Sequence, residues 1–344
     1  MWSGMHRVHC SLQRLPLGTG RCHADHGRRG SVGVMVTIAS TDLDVFPLCL
    51  GGNVIGWTAD EEQSFAVLDA YAAAGGNFVD TADTYSTWVP GHAGGESEAI
   101  IGRWLAARGN RDEMIIATKV AKLPTRRGLS AANIKAAAED SLRRLGTDRI
   151  DLYYAHEDDE ATPVEESLAA FDALVREGKV RHVAASNYGP DRLREALAVA
   201  HSEGLSPYVA LQPHYNLVER DYENGLRDTC ADAGLACIPY FALARGFLTG
   251  KYRPGGEAVD SPRAGSVAGY LEGDGVRVLA ALDAVAAAHE TTVASVALAW
   301  LAAQPTVAAP IASARTPEQL ADLLPMATLA LTADELGQLS AASA

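Results

Sequence analysis

The chain has 344 residues, carries 43 acidic against 29 basic side chains for a formal net charge of −14, and is 48% hydrophobic and 21% charged. The apolar fraction excludes disorder as the main state, and the length permits two domains or one large barrel. The acidity excludes a surface that holds nucleic acid or an anionic membrane by bulk charge, and no apolar run approaches the roughly 20 residues of a membrane helix; even residues 293–303 soon meet Gln304 and Pro305.

The charge is unevenly spread. Residues 1–34 hold five arginines against the lone Asp25, a net +4, so the other 310 residues carry −18. Arginines and histidines break every apolar window in this start, so no secretory signal is read, and the composition predicts a disordered extension ahead of Met35. His6, His9, His23 and His26 with Cys10 and Cys22 fit no zinc spacing. Beyond the extension Cys49, Cys230 and Cys237 are an odd set in a large chain, which predicts buried free thiols and a reducing, cytoplasmic setting. Residues 35–344 show neither repeat nor linker and read as one domain.

From Met35 onward, short apolar runs alternate with amphipathic stretches. Strands are expected at 46–51, 77–81, 114–120, 150–156, 180–186, 209–212, 235–240 and 306–312. One helix is expected from Asp60 to the stop at Gly75 and Gly76, another from Ser130 to Gly146, and more beginning near Pro163, Pro190, Glu219, Val276 and Pro317. Continuous apolar strands alternating with helices argue a parallel sheet covered by helices. Eight such units predict an α/β fold of the closed (β/α)8 TIM barrel type, with a doubly wound open sheet as runner-up.

A barrel of this type builds its site at the C-terminal strand ends. Here the runs end in Asp80, Lys119, His156, Ser186 with Asn187, Gln212, Tyr240, and Ser313 with Arg315. One polar strand end is ordinary, whereas seven predict a convergent site.

These residues carry a resemblance. The segments FVDTADTY from Phe78, GESE from Gly95, ATK from Ala117, IDLYYAH from Ile150, ASN from Ala185, LQPHYNL from Leu211, GFLTGK from Gly246 and TPEQL from Thr316 are similar, in order, to those of the aldo-keto reductase family. The resemblance spans about Phe46 to Leu320, and the family fold is a (β/α)8 barrel. It implies an NADPH-dependent, reversible reduction of an aldehyde or ketone to an alcohol.

Reduction of a carbonyl leaves negative charge on oxygen, so the site must supply a proton and polarise the bond. Tyr85 suits the acid, Lys119 would lower its pKa, Asp80 would keep the lysine from being buried alone, and His156 would orient the substrate oxygen. The family's Asp, Tyr, Lys and His tetrad matches these four. Taken singly, Asp80 could cap a helix, Lys119 be a solvated loop residue, Tyr85 a packing residue and His156 a surface histidine among acids. Asp83 reads as a turn or cap residue.

The chain has neither a complete GxGxxG nor a P-loop, since Asn53 stands where the second glycine of the nearest candidate belongs. By resemblance, Ser186, Asn187 and Gln212 would hold the nicotinamide carboxamide and Tyr240 would stack on its ring. Arg315 beside a helix start, Gln319, Arg245 and Lys251 would meet the phosphates, and Leu243, Gly246, Leu248 and Ser313 complete the cofactor set. Solvated loop charge is the plain alternative for the cations. Many family members carry Glu-Asn beyond the glutamine, whereas this chain reads Ala321, Asp322 and Leu323, which leaves adenine contacts and cofactor preference open.

Trp57 and Trp88, with His156, are expected to wall a pocket for a small carbonyl substrate, and residues 245–275 to form a long cover. No metal, nucleic acid or membrane is expected, and a monomer or small homo-oligomer is. Two other classes compete: a nucleotide-sensing regulatory subunit with slow turnover, and a metal-dependent barrel hydrolase using Asp80, His156 and His214.

Overall fold

Eight parallel strands wind into a barrel with helices on its outside. They are β1 (Cys49–Gly51), β2 (Phe78–Asp80), β3 (Ile115–Val120), β4 (Ile150–Ala155), β5 (Val180–Ser186), β6 (Tyr208–Gln212), β7 (Ala236–Cys237) and β8 (Ile311–Ala312). The computed structural model describes residues 35–256 and 264–343, so the extension expected over 1–34 lies outside the described residues.

Strands β1 to β7 pair in chain order and β8 pairs with β1. Closure between β7 and β8 comes from a parallel bridge between Cys237 and Val307, with Cys237 N donating to Thr306 O at 2.7 Å, Ala308 N to Cys237 O at 2.9 Å and Ile311 N to Pro239 O at 2.9 Å. The last two strands are shorter than the expected 235–240 and 306–312. Pro239 and Pro310 fall inside those runs, and a proline has no N–H to give a ladder.

Strand residues are buried on both faces, yet their side chains alternate. Phe78, Ile115, Ala117, Leu152, Tyr154, Ala184, Ala210, Ala236 and Ile238 share an interior cluster with Ile38, Leu43 and Val45. Their neighbours Val79, Ile116, Tyr153, Val183 and Ala185 join the larger cluster shared with the helices. The hairpin formed by Val36–Thr37 and Asp44–Val45 brings Ile38, Leu43 and Val45 against the strand starts, so the barrel is filled from that end. The period of two then fixes which side chain comes next toward the opposite mouth. Gly51 follows Cys49, Asp80 follows Phe78, and Lys119 follows Ala117. His156 follows Tyr154, Ser186 follows Ala184, Gln212 follows Ala210, and Tyr240 follows Ile238.

The helices are α1 (Glu61–Ala73), α2 (Glu96–Arg108), α3 (Ala131–Leu145), α4 (Val164–Arg176), α5 (Pro190–Glu203), α6 (Leu226–Ala233), α7 (Asp274–Ala288), α8 (Val293–Ala302), α9 (Pro317–Ala321) and α10 (Ala333–Ala342). The expected caps hold α1 and α3: Asp60 Oδ1 accepts from Gln63 N at 2.9 Å while Gln63 reaches back to Asp60 N, and Ser130 Oγ accepts from Asn133 N. The helix expected near Glu219 is only a 3₁₀ turn, Asp221–Glu223, because Gly225 at φ 94° interrupts before α6 begins. Helix α2 had no cap to announce it, since its N-cap is Gly95 and its buried face contains Ser97 and Glu98. Among the described residues no single helix is long and apolar enough to cross a membrane.

Candidate active site

At the open mouth, Asp80, Tyr85 and Lys119 form one hydrogen-bonded group. Lys119 Nζ, fully buried, donates to Asp80 Oδ2 at 2.6 Å, to Tyr85 Oη at 2.9 Å and to Thr81 O at 2.8 Å, which satisfies all three of its N–H groups. Tyr85 Oη donates to Asp80 Oδ2 at 3.0 Å, and Gln212 Nε2 donates to Asp80 Oδ1 at 2.9 Å. Asp80 therefore caps no helix and Lys119 is not a solvated loop residue. The His156 ring stands edge-on to Tyr85 with centroids 6.2 Å apart, and its Nδ1 finds no protein partner.

Electrostatics divide these groups. Burial, then Lys119 and Lys122, hold the His156 pKa well below 6.5, so the ring is neutral and can donate one N–H. Burial, then the Asp80 carboxylate, push the Tyr85 phenol well above 10. The expectation that Lys119 lowers the phenol pKa is not met in this state, because desolvation and Asp80 outweigh the ammonium. The consequence is a phenol that keeps its proton, with the Lys119 ammonium 2.9 Å from its oxygen.

Above this group lies a cleft of about 600 Å³. It is lined by Asp80, Tyr85, His156, Trp57 and Trp88 and also by Ser186, Asn187, Gln212, Tyr240, Leu243, Arg245, Gly246, Lys251, Ser313, Arg315 and Gln319. Lys119 lies beneath the lining. Leu248 does not reach the cleft: its side chain is fully buried, and its N–H donates to Leu243 O at 3.2 Å.

Asn187, in a left-handed conformation at φ 56°, ties the middle of the cleft together. Its Nδ2 donates to His156 O at 2.9 Å and Ser186 Oγ at 3.1 Å, and its Oδ1 accepts from Tyr240 Oη at 2.8 Å. Tyr240 also stacks on His214, 18° from parallel. Arg245, Lys251 and Arg315 line the cleft and form no ion pair among the described residues, where most other cations have carboxylate partners. The helix start beside Arg315 offers less than expected. Helix α9 has five residues, Thr316 Oγ1 takes the N–H of Gln319, and Gln319 Oε1 accepts from Arg315 N at 3.0 Å.

Trp57 and Trp88 meet edge to face at 5.6 Å, and Trp88, 47% exposed, also lies 6.2 Å from Tyr85. Sequence reasoning missed Asn53, Phe241, Lys122 and Asp322 as cleft residues. Asn53 Oδ1 accepts from Ser313 Oγ at 2.7 Å, joining the loop after β1 to the end of β8. Its place just after a strand was the available signal. Asp83 lies in the expected turn but caps nothing: it is 1% exposed, and neither carboxylate oxygen has a partner. Among the described residues no three His, Cys, Asp or Glu side chains gather as a metal site.

A parallel (β/α)8 barrel with a buried Asp-Lys-Tyr group at its mouth is the architecture the aldo-keto resemblance implies, and comparison with known proteins agrees. The aldo/keto reductase family profile matches residues 47–344, and the chain belongs to that family. It is 35% identical to an uncharacterized oxidoreductase of Bacillus subtilis (strain 168), over 88% of this chain and 94% of that protein. It is 31% identical to an aryl-alcohol dehydrogenase of Pestalotiopsis microspora, over 87% and 79% of the two chains. It is 30% identical to a norsolorinic acid reductase of Aspergillus flavus, over 88% and 78%. The protein is an oxidoreductase acting on carbonyl and alcohol groups.

Proposed function

We propose that the protein reduces an aldehyde or ketone to an alcohol with NADPH, and that Tyr85 is the proton donor. The observation that carries this reading is the Tyr85 hydroxyl held at 2.9 Å from the Lys119 ammonium and 3.0 Å from Asp80 on the cleft floor. Tyr85 Oη gives its proton to the substrate oxygen as the carbonyl carbon is reduced, and Lys119 stabilises the phenolate left behind. Neutral His156 donates its N–H to the same oxygen and fixes its direction. The bound nicotinamide supplies the hydride.

The lining residues fit such a cofactor. Ser186, Asn187 and Gln212 present hydrogen-bonding groups for a carboxamide, and Tyr240 offers a ring face to stack on. Arg245, Lys251 and Arg315, lacking carboxylate partners among the described residues, would hold phosphates in an otherwise acidic protein. On the substrate side the perpendicular indoles of Trp57 and Trp88 favour a flat aromatic carbonyl compound, consistent with the aryl alcohol and norsolorinic acid in the names of two relatives.

The test is a fluorescence titration with NADPH followed by turnover of an aromatic aldehyde, in wild type and Tyr85→Phe. Cofactor binding should survive the substitution while reduction falls by about 10² or more. Undiminished turnover in Tyr85→Phe would refute the acid assignment. Tight NADPH binding with background turnover across a broad carbonyl panel would favour a nucleotide-sensing role.

A further inference from the structure

Asp83 lies in the short turn between Asp80 and Tyr85, so whatever holds it also places the phenol. Its carboxyl is buried against charged and polar groups from every element around it. Glu98 of α2 is held by Thr118 Oγ1 at 2.5 Å and by Arg144 Nε of α3 at 2.6 Å. Arg126, from the hairpin after β3, pairs with Asp140 at 2.7 Å and leaves its Nε without a partner. Tyr153 of β4 turns an unpartnered hydroxyl into the same region, and Lys119 of β3 completes the set of charges acting on Asp83.

The turn itself is tightly determined. Tyr85 N donates to Ala82 O at 3.2 Å, Thr84 Oγ1 to Lys122 O at 3.2 Å, and Ser86 Oγ to Ile55 O at 3.2 Å, with Ser86 at φ 74° directly after the tyrosine. Gly94, at φ 99°, packs so closely over the turn that a Cβ there would stand 2.6 Å from Asp83 O. The backbone around Tyr85 is strained and supported from several sides, an arrangement sensitive to what lies under it.

A neutral carboxyl tolerates this position, whereas a carboxylate needs donors. The guanidinium groups acting on Asp83, Arg144 and Arg126, already pair with Glu98 and Asp140, and Arg126 Nε is left without a partner. We propose that Asp83 is a positioning residue for Tyr85: protonated, it fits the turn that sets the phenol against Asp80 and Lys119, and on losing its proton it draws the turn toward Arg126 and Arg144 and withdraws the phenol. This rests on the reading of Tyr85 as the acid. Burial and Glu98 push the Asp83 carboxyl up to about 7, so the change falls near neutrality. The His156 ring lies well below 6.5 and the Tyr85 phenol well above 10, so neither accounts for a step there.

The experiment uses the full chain labelled with ¹³Cζ tyrosine, with the Tyr85 resonance assigned through Tyr85→Phe. That resonance should shift in one step near neutrality in wild type and lose the step in Asp83→Asn. In the reduction assay wild-type kcat should fall across the same interval with KM for NADPH constant, and Asp83→Asn should give a flat profile. A merely structural Asp83 would change thermal stability without moving either titration. A wild-type Tyr85 resonance with no step between about pH 5.5 and 9, or a step that persists in Asp83→Asn, overturns the proposal. The wild-type spectrum decides even if the variant folds poorly. Because the resonance needs no turnover, an inactive wild type would sink the reductase reading alone.

Discussion

The Lys119–Asp80 pair is where stability and chemistry meet, and a double-substitution cycle can separate them. Lys119→Met removes the cation from a fully buried site and leaves the 1% exposed Asp80 with only Tyr85 Oη and Gln212 Nε2 as donors. Losing one partner of such a pair costs about 3–5 kcal/mol, because the remaining charge is desolvated and uncompensated. Asp80→Asn alone leaves Lys119 with Thr81 O and Tyr85 Oη and should cost a similar amount. Removing both charges together should cost far less than the two singles combined, a coupling on the order of 3 kcal/mol. The assay is urea unfolding of the four proteins followed by far-ultraviolet circular dichroism, with unchanged denaturant slopes as the condition for comparison. Strictly additive losses would refute the view that each charge holds the other in place. The double variant should recover stability without recovering turnover, since it has no cation beside Tyr85.

Arg315→Ala should weaken NADPH by about tenfold or more and NADH much less, corresponding to loss of one charge-assisted phosphate contact; equal losses in fluorescence titrations would show that Arg315 does not read the extra phosphate. Trp88→Ala, by removing one half of the indole pair, should lower kcat/KM for an aromatic aldehyde about tenfold and spare a short aliphatic one, and parallel losses would assign Trp88 to loop packing instead. Asp83 also predicts a stability slope. Its pKa is raised from 3.8 to about 7, so between those values the folded chain keeps a proton that the unfolded chain has released, and stability falls as pH rises and stays reduced above about 7. By 1.36 kcal/mol per unit the ceiling is about 4 kcal/mol, so the Tm advantage of Asp83→Asn over wild type should grow from pH 5 to pH 8; a constant difference would contradict it.

Much of the fold and site was legible because the signals were local. Apolar runs ending in a single polar residue located the strand ends, and within each strand the two-residue period that buries Phe78 and Ala117 also aims Asp80 and Lys119 into the mouth. Caps such as Asp60 and Ser130 announced their helices. Thr332 with Glu335 formed an equally readable capping box for α10, which the sequence reading passed over. Other features depend on tertiary contacts that no short window contains. Asp83 looks like any turn aspartate until α2, α3 and β4 close around it. Asn53 becomes a cleft residue only because Ser313, 260 positions away, lies beside it. The upward push on the Tyr85 pKa needed the burial of the phenol and the closeness of Asp80, which spacing alone does not give.

The proline-interrupted contact between β7 and β8 gives the barrel a seam. Two-residue strands and a few backbone hydrogen bonds join the first and last parts of the sheet, where β4 and β5 share a full ladder. Backbone openings short of global unfolding are expected to begin at such a junction. Tyr240, Arg245 and Lys251 follow one side of it, and Ser313 and Arg315 the other, all on one cleft. A dinucleotide held by both groups would act as a clasp across the weakest line of the sheet, so that occupancy and mechanical integrity of the barrel rise together. Amide exchange at Cys237, Ala308 and Ile311 would then report dinucleotide occupancy without any need for turnover.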